Sequence, residues 1–278
     1  MWIVIGVGIV IAVLLIAVQL ELFASPVVRA IVRKPDAAVL ELLRRSSLSE
    51  PKLVTATRVA CGVSRTTILR ALLERAPRPQ ELATRMLHYA RSVEVVDSLL
   101  EHGADPDGAV DAETPLFAAA TLGRADVMRR LIRAGARVDQ PCQTRDPLYR
   151  GATPLHAACS PRLPPASLEA IEVLLDAGAD IEASGETPLL ACLSNGLPAD
   201  QQLQIARLLV QRGANVNASQ KTRLLGGDIE MTPLHYAIVS PVPAPEVVQL
   251  LLDAGAALTL DHINLARHWV TGKTRALV

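Results

Sequence analysis

The side chains best able to do chemistry in this chain are six histidines and four cysteines, because imidazole and thiolate groups act as bases, nucleophiles and metal ligands. The cysteines are Cys61, Cys142, Cys159 and Cys192. No two of them form a C-x-x-C pair. We therefore expect four reduced thiols and no metal site, which fits a reducing compartment.

Sequence motifs of catalysis are also absent. The chain has no Walker loop, no G-x-G-x-x-G, no H-E-x-x-H and no G-x-S-x-G. Aromatic residues make up only 3% of it, although small-molecule pockets are usually lined by them. The formal net charge is zero, so no overall field attracts nucleic acid. The sequence predicts a protein without catalytic residues, cofactors or small-molecule substrates.

Two segments carry the chemistry of protein binding instead. Residues 142–150 and 220–230 place apolar side chains among charged ones, and an apolar patch with a charged rim is typical of interaction sites. Alternatively, their apolar residues fold onto neighbouring helices, and the sequence leaves both arrangements open. The candidate partner-binding residues are Arg145, Leu148, Tyr149, Arg150, Lys221, Arg223, Leu224, Leu225 and Ile229.

The elements that position these segments follow from an internal repeat. A T-P-L motif opens a short helix of small residues, and a Leu-rich helix that ends in Gly-Ala follows. Threonine before proline predicts an N-cap, the glycine predicts a left-handed helix end, and paired leucines should cover the buried stripe of the second helix. The motifs begin at Thr114, Thr153, Thr187 and Thr232, and the Gly-Ala pairs at Gly103, Gly135, Gly178, Gly213 and Gly255.

This pattern resembles the ankyrin-repeat family over residues 80–278. The resemblance implies helix–turn–helix units that stack into an α-solenoid, each with a β-hairpin finger, and a function in binding proteins. It also implies that His156 and His235 hold structural hydrogen bonds. Towards the end of the chain, Asp261 to Ala266 aligns with T-P-L-H-x-A, and Trp269 is expected to close the core.

The spacing of the repeat marks predicts which fingers project. Family units have about 12 residues from the glycine to the next threonine. Here the four intervals that start at Gly103, Gly135, Gly178 and Gly213 are 11, 18, 9 and 19 residues. The two candidate binding segments therefore occupy two long fingers, and we expect these to project beyond the short finger between them.

The predicted fold class is all-α, an ankyrin-repeat α-solenoid preceded by one N-terminal transmembrane helix. We assign residues 1–20 to a transmembrane signal-anchor helix. Residues 21–78 form a basic juxtamembrane helical region that can hold degenerate repeats, and residues 79–278 form the ankyrin-repeat domain. Residues 21–97 carry 13 basic and 8 acidic side chains, a net charge of +5.

The N-terminal assignment depends on an apolar run. Trp2 to Val18 contains only apolar residues and glycine, which is just long enough to cross a bilayer. The alternatives are a buried helix and a cleaved signal peptide, but such long charge-free runs are rare in soluble cores, and the run lacks a basic n-region and a good cleavage site. Arg29, Arg33 and Lys34 follow it, so the positive-inside rule predicts that the bulk of the chain is cytoplasmic.

These observations together predict an interaction scaffold or adaptor, a single-pass membrane protein that binds an unidentified protein partner. The alternative is a protective or inhibitory protein that occludes a cognate enzyme or toxin, on the periplasmic side. The richness in Ala, Arg and Leu suggests a bacterial source, and the membrane would then be the inner membrane.

Overall fold

The computed structural model describes residues 25–144, 150–160, 167–183, 187–194, 197–224, 227–240, 244–259 and 262–263, without the side chains of 221–229. The chain divides into two compact units between Gly108 and Ala109. The predicted membrane helix at residues 1–20 lies outside the described residues. Of the helices that the structure describes, none has the length and apolar character needed to span a bilayer. The predicted domain boundary at residue 79 stays a prediction.

Unit 1, up to Gly108, consists of helix pairs that stack on one another. The first helices of the pairs, α1, α3 and α5, pack in one row, and the second helices, α2, α4 and α6, pack in another. The region 21–78 therefore contains two stacked pairs although it lacks the T-P-L motif. The elements are α1 (Pro26–Arg33), α2 (Asp36–Arg45), α3 (Glu50–Gly62), α4 (Thr66–Leu73), α5 (Pro79–Met86), a 3-10 turn (Leu87–Tyr89) and α6 (Val93–Glu101).

Unit 2, from Ala109, repeats this arrangement four times in its described part. The short first helices α7, α9, α11 and α13 pack in one row, and among the second helices α8 packs on α10 and α12 packs on α14. One β-hairpin precedes α13. The elements are α7 (Pro115–Thr121), α8 (Ala125–Arg133), α9 (Pro154–Cys159), α10 (Leu168–Asp176), α11 (Pro188–Ser194), α12 (Ala199–Gln211), β1 (Gln220–Leu224), β2 (Gly227–Met231), α13 (Pro233–Val239) and α14 (Pro245–Asp253).

The predicted N-caps are confirmed. In each T-P-L motif the threonine hydroxyl accepts the backbone N–H three residues later, as Thr114 does from Phe117 at 3.2 Å and Thr187 from Leu190 at 3.4 Å. At Thr232 the cap is reciprocal, because its own N–H donates to Nδ1 of His235 at 3.1 Å. Proline at the first helical position loses no hydrogen bond there, so these helices start at a fixed residue.

The predicted glycine helix ends are confirmed too. All five glycines have φ between +79° and +97°, a backbone region that residues other than glycine rarely adopt. After α10, the Gly178 N–H donates to the carbonyl of Leu175 at 3.1 Å and the Ala179 N–H to that of Leu174 at 3.0 Å. This is the Schellman arrangement, in which the amides of the Gly-Ala pair turn back and bond the last carbonyls of the helix.

The paired leucines do not share burial equally, which corrects the expectation that both cover the buried stripe. A helix turns about 100° per residue, so adjacent positions cannot both face the row behind. The buried members are Leu99, Leu131, Leu174, Leu209 and Leu251. The half-buried members are Leu100, Ile132, Leu175, Val210 and Leu252.

Candidate protein-interaction surface

The first long finger is fixed at its base. The Cys142 N–H donates to the carbonyl of Ala152 at 2.8 Å, and the Gly151 N–H donates back to the carbonyl of Cys142 at 2.7 Å. These bonds set both Gly151 and Ala152 against Cys142. The Cys142 side chain is fully buried, so the described base of this finger is anchored in the repeats.

The finger before it ends in a strained turn that touches the first long finger. Val110 and Glu113 exchange both backbone hydrogen bonds, and the two residues between them, Asp111 and Ala112, have φ of +50° and +68°. Positive φ at both central positions is the type I′ turn that suits hairpins, although Ala is a poor residue for it. The Ala112 carbonyl accepts the Gln143 N–H at 3.0 Å, which links the two fingers.

The second long finger is an antiparallel β-hairpin of β1 and β2. Its register sets Lys221 opposite Glu230, Arg223 opposite Asp228, and Leu224 opposite Gly227. Alternate positions of a strand belong to opposite faces. The register therefore separates a charged set from an apolar set: the charged set is Lys221, Arg223, Asp228 and Glu230, and the other set is Thr222, Leu224, Ile229 and Met231.

The base of this hairpin shows which set faces the repeat body. Met231 is buried, and Gln220, its register partner, donates a hydrogen bond from Nε2 to the Tyr236 hydroxyl of α13 at 2.7 Å. On the other set, Glu230 is exposed and accepts a hydrogen bond from the Ser219 hydroxyl at 2.8 Å. Where the hairpin leaves the repeats, the exposed Glu230 thus belongs to the charged set and the buried Met231 to the other set.

Side-chain hydrogen bonds hold successive finger bases at a fixed spacing. In each link a side-chain oxygen of one repeat accepts a backbone N–H of the next. The Asp180 N–H donates to the Asp139 carboxylate at 3.1 Å, the Asn215 N–H to the Glu182 carboxylate at 2.8 Å, and the Ala257 N–H to the Asn217 amide oxygen at 2.8 Å. Because each bond joins one repeat to the next, these bonds help to set the spacing of the described finger bases.

The nine predicted partner-binding residues fall into three groups. Arg150 is described and exposed, at the end of the first long finger. Lys221, Arg223, Leu224 and Ile229 lie in β1 and β2, where only the backbone is described. The residues outside the described ones are Arg145, Leu148, Tyr149 and Leu225. Their role in binding stays a prediction.

The thiols are placed for packing. All four cysteines are free and buried. Burial raises the pKa of the Cys61 thiol to about 12, and it also raises the pKa values of Cys159 and Cys192. A thiol with a raised pKa is a poor nucleophile and a poor metal ligand at neutral pH. Among the described residues, no group of three His, Cys, Asp or Glu side chains could hold a metal ion.

The histidines build a structural contact that the sequence analysis missed. The His235 and His262 rings stack with centroids 3.6 Å apart. The Thr232 hydroxyl lies 2.8 Å from Nδ1 of His235 and 3.2 Å from Nε2 of His262. Nδ1 of His262 accepts the Thr259 N–H at 3.2 Å, so its proton belongs on Nε2, which faces the Thr232 oxygen.

This contact corrects the register of the last repeat. The sequence alignment put Asp261 in the threonine position, whereas Thr259 caps His262 in the way that Thr232 caps His235. The signal was present as an identical T-x-x-H spacing, but the missing proline concealed it. Asp261 itself and Trp269 lie outside the described residues.

Comparison with solved structures supports the fold. The ankyrin repeat domain of human ASB11 matches with a TM-score of 0.53 and 25% identity, over 73% of this chain and 85% of that domain. Among curated proteins, human ankyrin repeat and SOCS box protein 6 is 33% identical over 191 residues, which cover 64% of this chain and 42% of that protein. Alpha-latrocrustotoxin-Lt1a of Latrodectus tredecimguttatus is 31% identical over 101 residues, 36% of this chain and 6% of the toxin.

These curated relatives are longer than the chain, which spans less than half the length of each of the two. Both are eukaryotic, and the predicted bacterial source stays a prediction. A family model of ankyrin repeats, in three copies, matches residues 92–184, 139–220 and 166–262. Ankyrin repeats are typically non-catalytic modules that bind proteins. Since the matched stretches together run from residue 92 to 262, more than half of the 278 residues, the chain belongs to the ankyrin-repeat family.

Proposed function

We propose that this chain is a non-catalytic scaffold, held at a membrane by residues 1–20, that binds a partner protein with the two long fingers of unit 2. The observation that carries the proposal is the hairpin of β1 and β2, whose register assigns four charged residues to one face and whose base is buried at Met231. A hairpin that is already formed and anchored loses little conformational entropy when a partner binds.

The charged face gives the site its specificity. It carries two cations, Lys221 and Arg223, and two anions, Asp228 and Glu230, in opposing register. A partner surface whose positive and negative charges complement these four would be selected. A partner surface that is entirely positive or entirely negative would be repelled by half of the face. The apolar positions Leu224 and Ile229 share the set of the buried Met231, so we assign them to support of the hairpin.

The first long finger supplies the apolar anchor. Tyr149 and Leu148 follow each other near its end, beside the exposed Arg150. Tyrosine and arginine are enriched among the few residues that carry most of the binding energy at interfaces. We assign the anchor to Tyr149, because its ring buries a large apolar area while its hydroxyl keeps a hydrogen-bonding group.

The binding proposal is tested by photo-crosslinking in cells. A photoreactive residue replaces Tyr149 in one full-length chain and Leu122 in the other, since Leu122 is exposed on the helix–helix turn of another repeat. We expect a discrete crosslinked protein from position 149 and none from position 122. Equal crosslinking from both positions would refute the finger site.

Affinity for the crosslinked protein then gives the quantitative test. Tyr149→Ala with Arg223→Ala should weaken binding at least tenfold, given about 2 kcal/mol for each anchor of an interface. The control is Leu122→Ala with Arg133→Ala, which removes an exposed leucine and an exposed arginine from the turn and from α8. Both variants should melt within a few degrees of the parent chain.

The membrane part of the proposal rests on the apolar run Trp2 to Val18 and on the basic residues that follow it. A reporter fused after Val278 should be active only in the cytoplasm, and the chain should resist alkaline extraction from membranes. Activity only on the periplasmic side would remove the cytoplasmic scaffold and favour the protective or inhibitory protein.

A further inference from the structure

Unit 1 has exposed apolar side chains at the ends of its first-row elements. Val32, near the end of α1, is 52% exposed, Val63, directly after α3, is 44% exposed, and Tyr89, at the end of the 3-10 turn, is 37% exposed. Of the described residues in this unit, these three are the large hydrophobic ones that are exposed. Scattered exposed apolar residues are ordinary, so their relative placement decides whether they form a surface.

Two contacts bring these ends to one edge. Arg65, which lies between α3 and α4, donates to the carbonyl of Ile31 and pairs with Asp36, so the end of α3 lies beside the end of α1. The Arg58 guanidinium of α3 lies 5.7 Å from the centre of the Tyr89 ring. The ends of α1, α3 and the 3-10 turn are therefore neighbours.

Basic residues share this edge, which we name the basic edge and define by Val32, Arg33, Lys34, Val63, Tyr89 and Arg91. Arg33, Lys34 and Arg91 are exposed, and none of them has an ion-pair partner among the described residues. By contrast, the exposed Arg44 and Arg45 of α2 both pair with Glu41.

Two acidic residues lie near the basic edge. Asp36 is engaged by Arg65. Glu94 is exposed in the first turn of α6, so its carboxylate is charged at neutral pH. The basic edge therefore has three cations, one nearby anion and three apolar side chains. Its net charge is positive, and it is amphipathic.

We propose that the basic edge docks on the surface of an anionic phospholipid bilayer. Cationic residues near such a surface are attracted by its negative potential, and exposed valine and tyrosine side chains can enter the headgroup region. Stacked helices are spaced 8–10 Å apart, so three neighbouring ends form a broad, shallow contact that fits a flat surface better than a peptide. This inference rests on the proposed membrane location but adds a second contact, which fixes the orientation of unit 1.

The test uses the full chain in vesicles of phosphatidylcholine, with and without phosphatidylserine. All four native thiols are buried, so a thiol-reactive dye labels an added surface cysteine selectively. The probe is Ser64→Cys at the basic edge, and the reference is Ser47→Cys, which is exposed at the opposite end of α3. Quenching of the dye by nitroxide-labelled lipid reports contact with the bilayer.

We expect quenching at Ser64→Cys, dependent on phosphatidylserine, and little at Ser47→Cys. The variant Arg33→Gln, Lys34→Gln, Arg91→Gln should lower the ratio of docked to undocked chains roughly a hundredfold, at about fivefold per basic residue. The control Arg44→Gln, Arg45→Gln, Arg78→Gln removes the same charge from ion-paired positions and should change the ratio less than threefold.

Three results would overturn the proposal: equal quenching of both probes, quenching without phosphatidylserine, or equal loss in the two triple variants. A dye response without lipid that grows with protein concentration would mean that the edge pairs copies of the chain, which also overturns it. Alkaline extraction of the same vesicles tests the anchor separately. If alkaline extraction removes the chain from the vesicles, the transmembrane anchor is refuted. The basic edge is then still tested by flotation and dye quenching of freshly added chain.

Discussion

The two adjacent leucines of α10 give a sharp test of the repeat packing. Leu174 is fully buried and Leu175 is half-buried, although the sequence treats them alike. Leu→Ala removes about 2.4 kcal/mol of transfer free energy from a buried site, and the residual cavity adds to this. We therefore expect Leu174→Ala to lower the free energy of unfolding by about 3–4 kcal/mol. Leu175→Ala should cost about 1 kcal/mol, because water replaces the lost methyl groups.

The measurement is urea unfolding of both full-length variants in one detergent, followed by circular dichroism at 222 nm. The shift of the midpoint multiplied by a common slope gives the change in unfolding free energy. Both substitutions lie in α10, with its Gly178-Ala179 end, and both make the same change in helix propensity, so the difference between the variants isolates burial. Equal losses, or a larger loss for Leu175→Ala, would refute the assignment of the buried stripe.

Four further predictions concern other positions. Ala112→Gly should stabilise the chain by about 1 kcal/mol in the same unfolding assay, because glycine adopts φ of +68° without strain. Gly123→Ala should destabilise it by more than 1 kcal/mol, since a Cβ would lie 2.8 Å from Cβ of Ser167 and φ is +63°. Cys61 should resist alkylation at pH 8, because burial raises the pKa of its thiol from the ordinary value of 9.0 to about 12 in the folded chain. The stability that the protonated thiol contributes is therefore complete below pH 9 and is lost as the pH rises towards 12. A pH series of melting curves would show this loss. Deletion of residues 1–20 should leave a folded chain in the soluble fraction, and a folded chain in the membrane pellet would contradict the anchor.

The candidate site shows where sequence reasoning reaches its limit. The long interval after Gly213 predicted the hairpin of β1 and β2, because the repeat fixes where each finger starts and ends, whereas only the base of the first long finger is described. The sequence could not separate Lys221 and Arg223 from Leu224 and Ile229 into two faces. That division depends on the register with β2, and a shift by one residue would exchange the two faces.

The end of the solenoid shows the same limit. The N-cap of His262 by Thr259 is local, yet it lacks the proline that marked the other motifs. Its stacking on His235 joins two repeats. The prediction misplaced the motif by two residues because, without the proline, the T-x-x-H spacing of Thr259 and His262 was not recognised.

The sequence by itself determined the local structure of this protein: the threonine caps, the glycine helix ends and the order of helices in residues 80–255. These features depend on hydrogen bonds that span three to five residues, so the residue types alone specify them. Only the tertiary structure decided which leucine of each pair is buried, which residues of β1 and β2 pair with each other and which helix ends meet at the basic edge. Those outcomes depend on contacts between repeats about 30–40 residues apart, where stacking geometry and not local sequence sets which side chains meet.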